Sequence, residues 1–297
     1  MPCAHFDGSP RAPKPSARDL AVGALSEFIA MTLFVFFGCG AAASNAHFTR
    51  NGDLKEWDSA SVTVIALQFG LGITVLAYTV AHTSGAHINC AVTLALTIVG
   101  TCHPLRAIVY FVAQMLGSVC GASLLHAATA PSIDRTGGLG ANGRQNADVT
   151  IANALVAEVM GTFLLVYVVL ETAVNVKSVV GNDAKMIRGS KLTLAPLPIG
   201  LAVFMAHVLC VPITGCSINP TRSFGPSLVA NVWDDHWLWW VGPCLGATLA
   251  SLTWLLLKTI EGRVADERSG DDEKSAAVNK VAQQENDQTV CFVEPIR

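Results

Sequence analysis

Six apolar runs, at about 19–43, 60–82, 104–128, 151–173, 196–214 and 236–258, constrain this chain more than any other feature. Crossing ~30 Å of hydrocarbon takes ~20 helical residues, so each run is long enough to span a bilayer. With no water to satisfy the backbone inside lipid, such runs fold as helices. Composition agrees: 14% of residues are charged and 52% hydrophobic, whereas soluble domains carry about 25% charged residues. The net charge of −3, with no basic patch interleaved with aromatics, excludes nucleic acid as a partner. The lipid bilayer is the expected partner.

Six spans put both termini on one side, and the Lys/Arg distribution selects the cytoplasm. That side receives Arg11, Lys14, Arg18, Arg106, Lys177, Lys185, Arg188, Lys191, Arg263 and Arg268, against Arg50, Lys55, Arg135 and Arg144 on the other. The N-terminal tail, residues 1–18, is polar and lacks a short apolar stretch before a small-residue cleavage site, so no removable signal is expected. The tail over 259–297 is rich in Asp, Glu, Lys, Ser and Gln and is expected to be disordered.

The chain also repeats itself. Ser26-Glu27-Phe28-Ile29-Ala30 matches Ala157-Glu158-Val159-Met160-Gly161, and Ser84-Gly85-Ala86-His87-Ile88-Asn89 matches Thr214-Gly215-Cys216-Ser217-Ile218-Asn219. Asn89 follows Glu27 by 62 residues and Asn219 follows Glu158 by 61. The repeats, about 19–128 and 151–258, each hold three spans, so the second must enter the membrane from the opposite side. Each also carries one short apolar stretch, 89–99 and 219–230, too short to cross and so expected to be re-entrant. Corresponding short segments in an inverted repeat mark a site near the midplane. The fold class expected is all-α: six transmembrane helices plus two re-entrant half-helices.

Asn is a favoured N-cap, and Pro220 suits a first helical position. Two half-helices starting at Asn89 and Asn219 would aim their N-termini at each other, each carrying roughly +0.5 charge. Cations would be repelled there. Amide N–H groups of both asparagines could donate to one water and turn its hydrogens outward, which breaks a proton-hopping chain; aquaporin-type pores are the stock example of such barriers.

These residues resemble the major intrinsic proteins, the aquaporin family, over roughly residues 19–258, and Leu194-Ala195-Pro196-Leu197-Pro198-Ile199-Gly200 is most similar to the plant plasma-membrane subgroup. The resemblance implies a homotetramer in the plasma membrane with one passive water pore per subunit. It excludes protons and ions, and hydrogen peroxide is the second candidate solute. By spacing from the asparagines, the family's selectivity filter falls on Phe69, His207, Cys216 and Arg222. Bulky Phe69 and His207, with Ser223 rather than Asp after Arg222, argue for water over glycerol. The alternatives are a facilitator of another small neutral solute and a non-conducting structural member of the fold. The resemblance further implies that Glu27 and Glu158 accept hydrogen bonds from the re-entrant loops, and that a thiol at Cys216 in the pore makes it sensitive to mercurials.

Two departures stand out. The family's Asn-Pro-Ala appears as Asn89-Cys90-Ala91 and Asn219-Pro220-Thr221. Without a proline at Cys90 the joint between the half-helices is expected to be looser. Ser190, in the basic 174–195 loop, suits a basophilic kinase, and a phosphate there would add about −1.5 to −2 charge. Gating by that loop is one reading; a solvated loop beside anionic lipid is the other. The nine cysteines show no CxxC or Cys/His metal spacing. No catalytic constellation is visible, so neither cofactor nor enzyme activity is expected.

Overall fold

The computed structural model describes residues 12–51, 54–175 and 194–261. Ser190, most of the 174–195 loop and the C-terminal tail beyond 261 lie outside the described residues, as do residues 1–11.

Among the described residues, six helices are long and apolar enough to cross a membrane: Ala17–Asn45, Ser59–Ser84, Pro104–Ala128, Ile151–Val174, Pro196–Thr214 and Leu238–Glu261. In chain order the elements are α1 (Ala17–Asn45), β1 (Phe48–Asn51), β2 (Leu54–Trp57), α2 (Ser59–Val80), α3 (Cys90–Ile98) and α4 (Pro104–Ala128), then α5 (Ile151–Val169), which runs into a π-helical turn over Leu170–Val174, α6 (Pro196–Thr214), α7 (Pro220–Ala230) and α8 (Leu238–Glu261). Local chemistry sets the starts. Ser16 and Asp19 form a reciprocal capping box at α1, Thr150 and Asn153 do the same at α5, and Asp58 caps α2. α3 and α7 start where the sequence predicts, with Asn89 and Asn219 as their N-caps.

The bundle is apolar outside as well as inside. Along α1, Val22, Leu25, Ile29, Leu33 and Phe37 recur at helical spacing on the outer face, while Glu27 is buried. An unbroken stripe of this kind is unstable in water and suits hydrocarbon. Between helices the contacts are close, because the apolar solvent offers no hydrophobic drive and association relies on small residues and packing. Gly117 and Gly121 of α4 sit against the α1 backbone at Phe28 and Thr32, and Gly242 and Gly246 of α8 sit against α5 at Glu158 and Val159. At either pair a Cβ would strike a neighbouring helix.

Among the described residues, the fold departs from the all-helical expectation in one place. β1 and β2 pair antiparallel, Phe48 opposite Trp57 and Thr49 opposite Glu56. In the sequence only Gly52-Asp53 separates the two strands, a glycine-first dipeptide of the kind that joins hairpins. The hairpin lies between spans and docks on the loop before α5: the Lys55 backbone N–H donates to Asn146 Oδ1, and its ammonium donates to Gln145 Oε1 at 3.2 Å.

Candidate pore and its constriction

The two repeat motifs build one device twice. The Glu27 carboxylate accepts from the N–H of His87 at 2.9 Å and of Ile88 at 2.7 Å, and from Gln114 Nε2 at 2.8 Å. The Glu158 carboxylate accepts from the N–H of Ser217 at 2.8 Å and of Ile218 at 2.7 Å, and from Thr214 Oγ1 at 2.6 Å. Each loop is tied to a span by a buried carboxylate with three donors, which answers the cost of burying it. Ala86 and Ile88 adopt φ of 53° and 49°, and Cys216 and Ile218 adopt 56° and 41°. A β-branched residue at positive φ is an outlier, and strain of this kind persists only where the surroundings over-determine it. Here it occurs at matching positions in both halves.

The loops then join at their asparagines. Asn89 Nδ2 donates to the Ile218 carbonyl and Asn219 Nδ2 to the Ile88 carbonyl, both at 2.8 Å. Each amide has two N–H groups, so each keeps one for the cavity that both residues border. Their carbonyls face the helices: Asn89 Oδ1 accepts from the Ala91 N–H at 2.8 Å, and Asn219 Oδ1 accepts from the Arg222 N–H at 3.3 Å.

That cavity has a volume of about 10 Å³, on the order of what one water needs. Two wider chambers neighbour it, one sharing Ile73, Asn89 and Leu165 with it and one bordered by the Gly140 and Asn142 that bond Arg222. One of about 200 Å³ is bordered by Lys55, Trp57, Asn142 and Gly215; the other, of about 120 Å³, by Ala77, Ala86, Val92 and Ile199. Phe69, His207 and Arg222 converge on the narrow cavity. The rings of Phe69 and His207 stack with centroids 4.4 Å apart, and the Arg222 guanidinium lies 4.9 Å over Phe69. Cys216 is fully buried but does not border this cavity.

Two ring residues leave a polar atom unspent. His207 Nδ1 sits 2.9 Å from the Val203 carbonyl, which can only accept, so Nδ1 carries the proton and Nε2 is a bare acceptor. Arg222 Nη1 donates to the Gly140 carbonyl at 3.0 Å and to Asn142 Oδ1 at 2.9 Å. His207 Nε2 and Arg222 Nε have no partner among the described residues. The constriction therefore pairs a buried acceptor with a buried cationic donor, inside walls that include Phe34, Leu165 and Val203.

Sequence reasoning missed Asn142 and Gly140, which hold the arginine, and Gln114, which supports Glu27. Asn142 stands in the glycine-bearing stretch 137–143, a visible signal for a shaped loop but not for its partner.

Six spans and two half-helices whose caps are joined at a narrow cavity define a multi-pass membrane channel. The major intrinsic protein description matches residues 16–254, and the chain belongs to that family, whose members are transporters and not enzymes. It is 40% identical over 235 residues to Aquaporin PIP2-5 of Oryza sativa subsp. japonica, covering 77% of this chain and 80% of that one. It is 42% identical over 232 residues to Aquaporin-2 of Ovis aries, covering 77% and 75%. The fold matches the X-ray structure of the aquaglyceroporin from Plasmodium falciparum with a TM-score of 0.63 at 23% identity, over 80% of this chain and 96% of that chain.

Proposed function

We propose that the chain is a passive water channel that excludes protons and ions, with Phe69, His207 and Arg222 as the side chains of its filter and Asn89 and Asn219 as its central donors. The observation that carries this is the pairing of a free acceptor, His207 Nε2, with a free donor, Arg222 Nε, at a cavity of about 10 Å³. A passing water loses most of its bulk partners, and burying a polar group without compensation costs several kcal/mol. One donor and one acceptor replace part of what is lost. The asparagine amides do the same further in, and the half-helix N-termini add positive potential. Arg222 is a permanent cation, so it repels hydronium and metal ions at the narrowest point. Hydrogen peroxide meets the same donors and acceptors and is a second solute of this path. The relatives' names, the plant ones included, support water as the cargo, and the subgroup likeness supports a tetramer in the plasma membrane with cytoplasmic termini.

The test is stopped-flow shrinkage of proteoliposomes under an osmotic step. Water efflux well above that of empty vesicles, with no faster glycerol entry and no proton leak, is the expected result. Efflux equal to that of empty vesicles would overturn the reading.

A further inference from the structure

Four residues after each central asparagine stands a buried hydroxyl, Thr93 in the first half and Ser223 in the second. Two residues before each asparagine stands that hydroxyl's partner, His87 or Ser217. The pairing recurs in space: His87 Nδ1 lies 3.0 Å from Thr93 Oγ1, and Ser217 Oγ lies 2.6 Å from Ser223 Oγ. The halves differ in where the hydroxyl sends its one hydrogen. Thr93 donates to the Asn89 carbonyl of its own half-helix at 3.0 Å. Ser223 stands 3.3 Å from the equivalent Asn219 carbonyl but 2.7 Å from Asn142 Oδ1.

The Asn142 amide can face only one way. Its Nδ2 donates to the Thr214 carbonyl at 3.1 Å, and its Oδ1 accepts at 2.9 Å from Arg222 Nη1, a group that can only donate. Without a hydrogen between them, Ser223 Oγ and Asn142 Oδ1 at 2.7 Å would be two acceptors face to face. Ser223 therefore donates to Asn142, and Ser217 must donate to Ser223. The order is Ser217 O–H to Ser223 O–H to Asn142 Oδ1, which also holds Arg222. Ser217, Ser223, Asn142 and Arg222 are each at most 1% exposed, so bulk water cannot replace a lost partner.

We propose that Ser223, oriented by Ser217, is a positioning residue of the filter. Through Asn142 it fixes the Arg222 guanidinium at the aperture. A hydroxyl committed to its own half-helix in the first repeat thus serves selectivity in the second. The idea rests on Arg222 being a filter side chain.

The experiment compares Ser223→Ala, Ser223→Thr, Ser217→Ala, Asn142→Ala, the Ser223→Ala/Asn142→Ala double variant and the control Thr93→Ala in proteoliposomes. Water efflux and glycerol entry are read on the same vesicles, with thermal midpoints in detergent. Losing one buried hydrogen bond predicts that Ser223→Ala raises the ratio of glycerol to water permeability about fivefold. Ser223→Thr, which installs the residue of position 93, keeps the hydroxyl and the wild-type ratio. Ser217→Ala raises the ratio less, and Ser223→Ala adds nothing once Asn142 is alanine. Thr93→Ala lowers the thermal midpoint but leaves the ratio alone. The proposal is overturned if Ser223→Ala or Ser217→Ala keeps the wild-type ratio, if Thr93→Ala raises it as much, if Ser223→Thr behaves as Ser223→Ala, or if the Ser223 effect is undiminished without Asn142. Should the wild type carry no water, the water-channel reading fails, and the positioning is decided by the thermal midpoints. Additive shifts of Ser223→Ala and Asn142→Ala overturn it; non-additive shifts support it. Should Ser223→Ala not fold, Ser223→Cys, which fills the site with a weak donor, replaces it.

Discussion

The filter has a counterpart inside the same chain. Counting from the two asparagines, Phe69 corresponds to Ile199, His207 to Ala77, Cys216 to Ala86 and Arg222 to Val92. All four counterparts border the chamber of about 120 Å³, whereas Phe69, His207 and Arg222 surround a cavity of about 10 Å³. The backbone frame is common to both places: matching carboxylates, matching left-handed residues and reciprocal asparagine bonds. Only the side chains differ, large and polar at one end, small or apolar at the other. The repeat thus supplies the conduit, and breaking the repeat at a few side chains supplies discrimination. One end can select because the other end does not restrict flow.

If the frame is common, its two carboxylates should matter equally. Glu27→Ala and Glu158→Ala each strand three buried donors at about 1–3 kcal/mol apiece, a large share of the roughly 5–15 kcal/mol that holds a domain together. Both are expected to abolish folded, monodisperse protein in gel filtration. Glu27→Gln and Glu158→Gln keep one acceptor oxygen and should lower the thermal midpoint by similar amounts. A chain that tolerates one glutamine but not the other would break the equivalence of the halves.

Exchanging filter residues for their counterparts sharpens the other side of the comparison. Arg222→Val installs the residue of position 92. A unit charge at ~4 Å is worth about 4 kcal/mol at the effective dielectric of a protein surface, so proton and alkali-cation flux should rise by about two to three orders of magnitude while water still passes. Currents in voltage-clamped membranes measure this; a silent Arg222→Val would place the charge barrier at the half-helix N-termini alone. His207→Ala installs the residue of position 77, removes the ring stacked on Phe69 and widens the aperture. Losing one side chain's steric exclusion should raise glycerol entry at least tenfold, read from re-swelling in a glycerol gradient. The reverse exchange, Ala77→His, should slow water from the other end.

What was legible in the sequence is what repeats or what is long. Spans follow from apolar length, and the half-helices from a six-residue motif that recurs at nearly equal distance from a glutamate. What was not legible comes from contacts between segments with no shared pattern. Asn142 and Gly140 hold Arg222 from 80 and 82 residues away, and nothing in periodicity marks them. The hairpin was announced by Gly52-Asp53 and overshadowed by the hydrophobic runs on either side of it.

Cys216 gives the smallest effect and the finest test of the comparison. The family resemblance put its thiol in the pore; the structure buries Cys216 outside the residues that border the narrow cavity. Its counterpart Ala86 borders the inner chamber with nearly the same φ, 53° against 56°, so the repeat predicts that a side chain at position 216 can reach the channel wall. A change of χ1 between staggered wells, needing no backbone movement, would bring the sulfur back to the lumen. Cys216→Ala, which installs the counterpart's residue, is therefore expected to leave water flux within about twofold of wild type, since the thiol contributes no bond to the ring. It should also abolish block by a small organomercurial, because the metal captures the thiol in its lumenal rotamer. Block that survives Cys216→Ala but disappears in Cys90→Ala would mean that the Cys216 thiol does not reach the lumen. In that case the two ends of the channel would differ at three side chains rather than four.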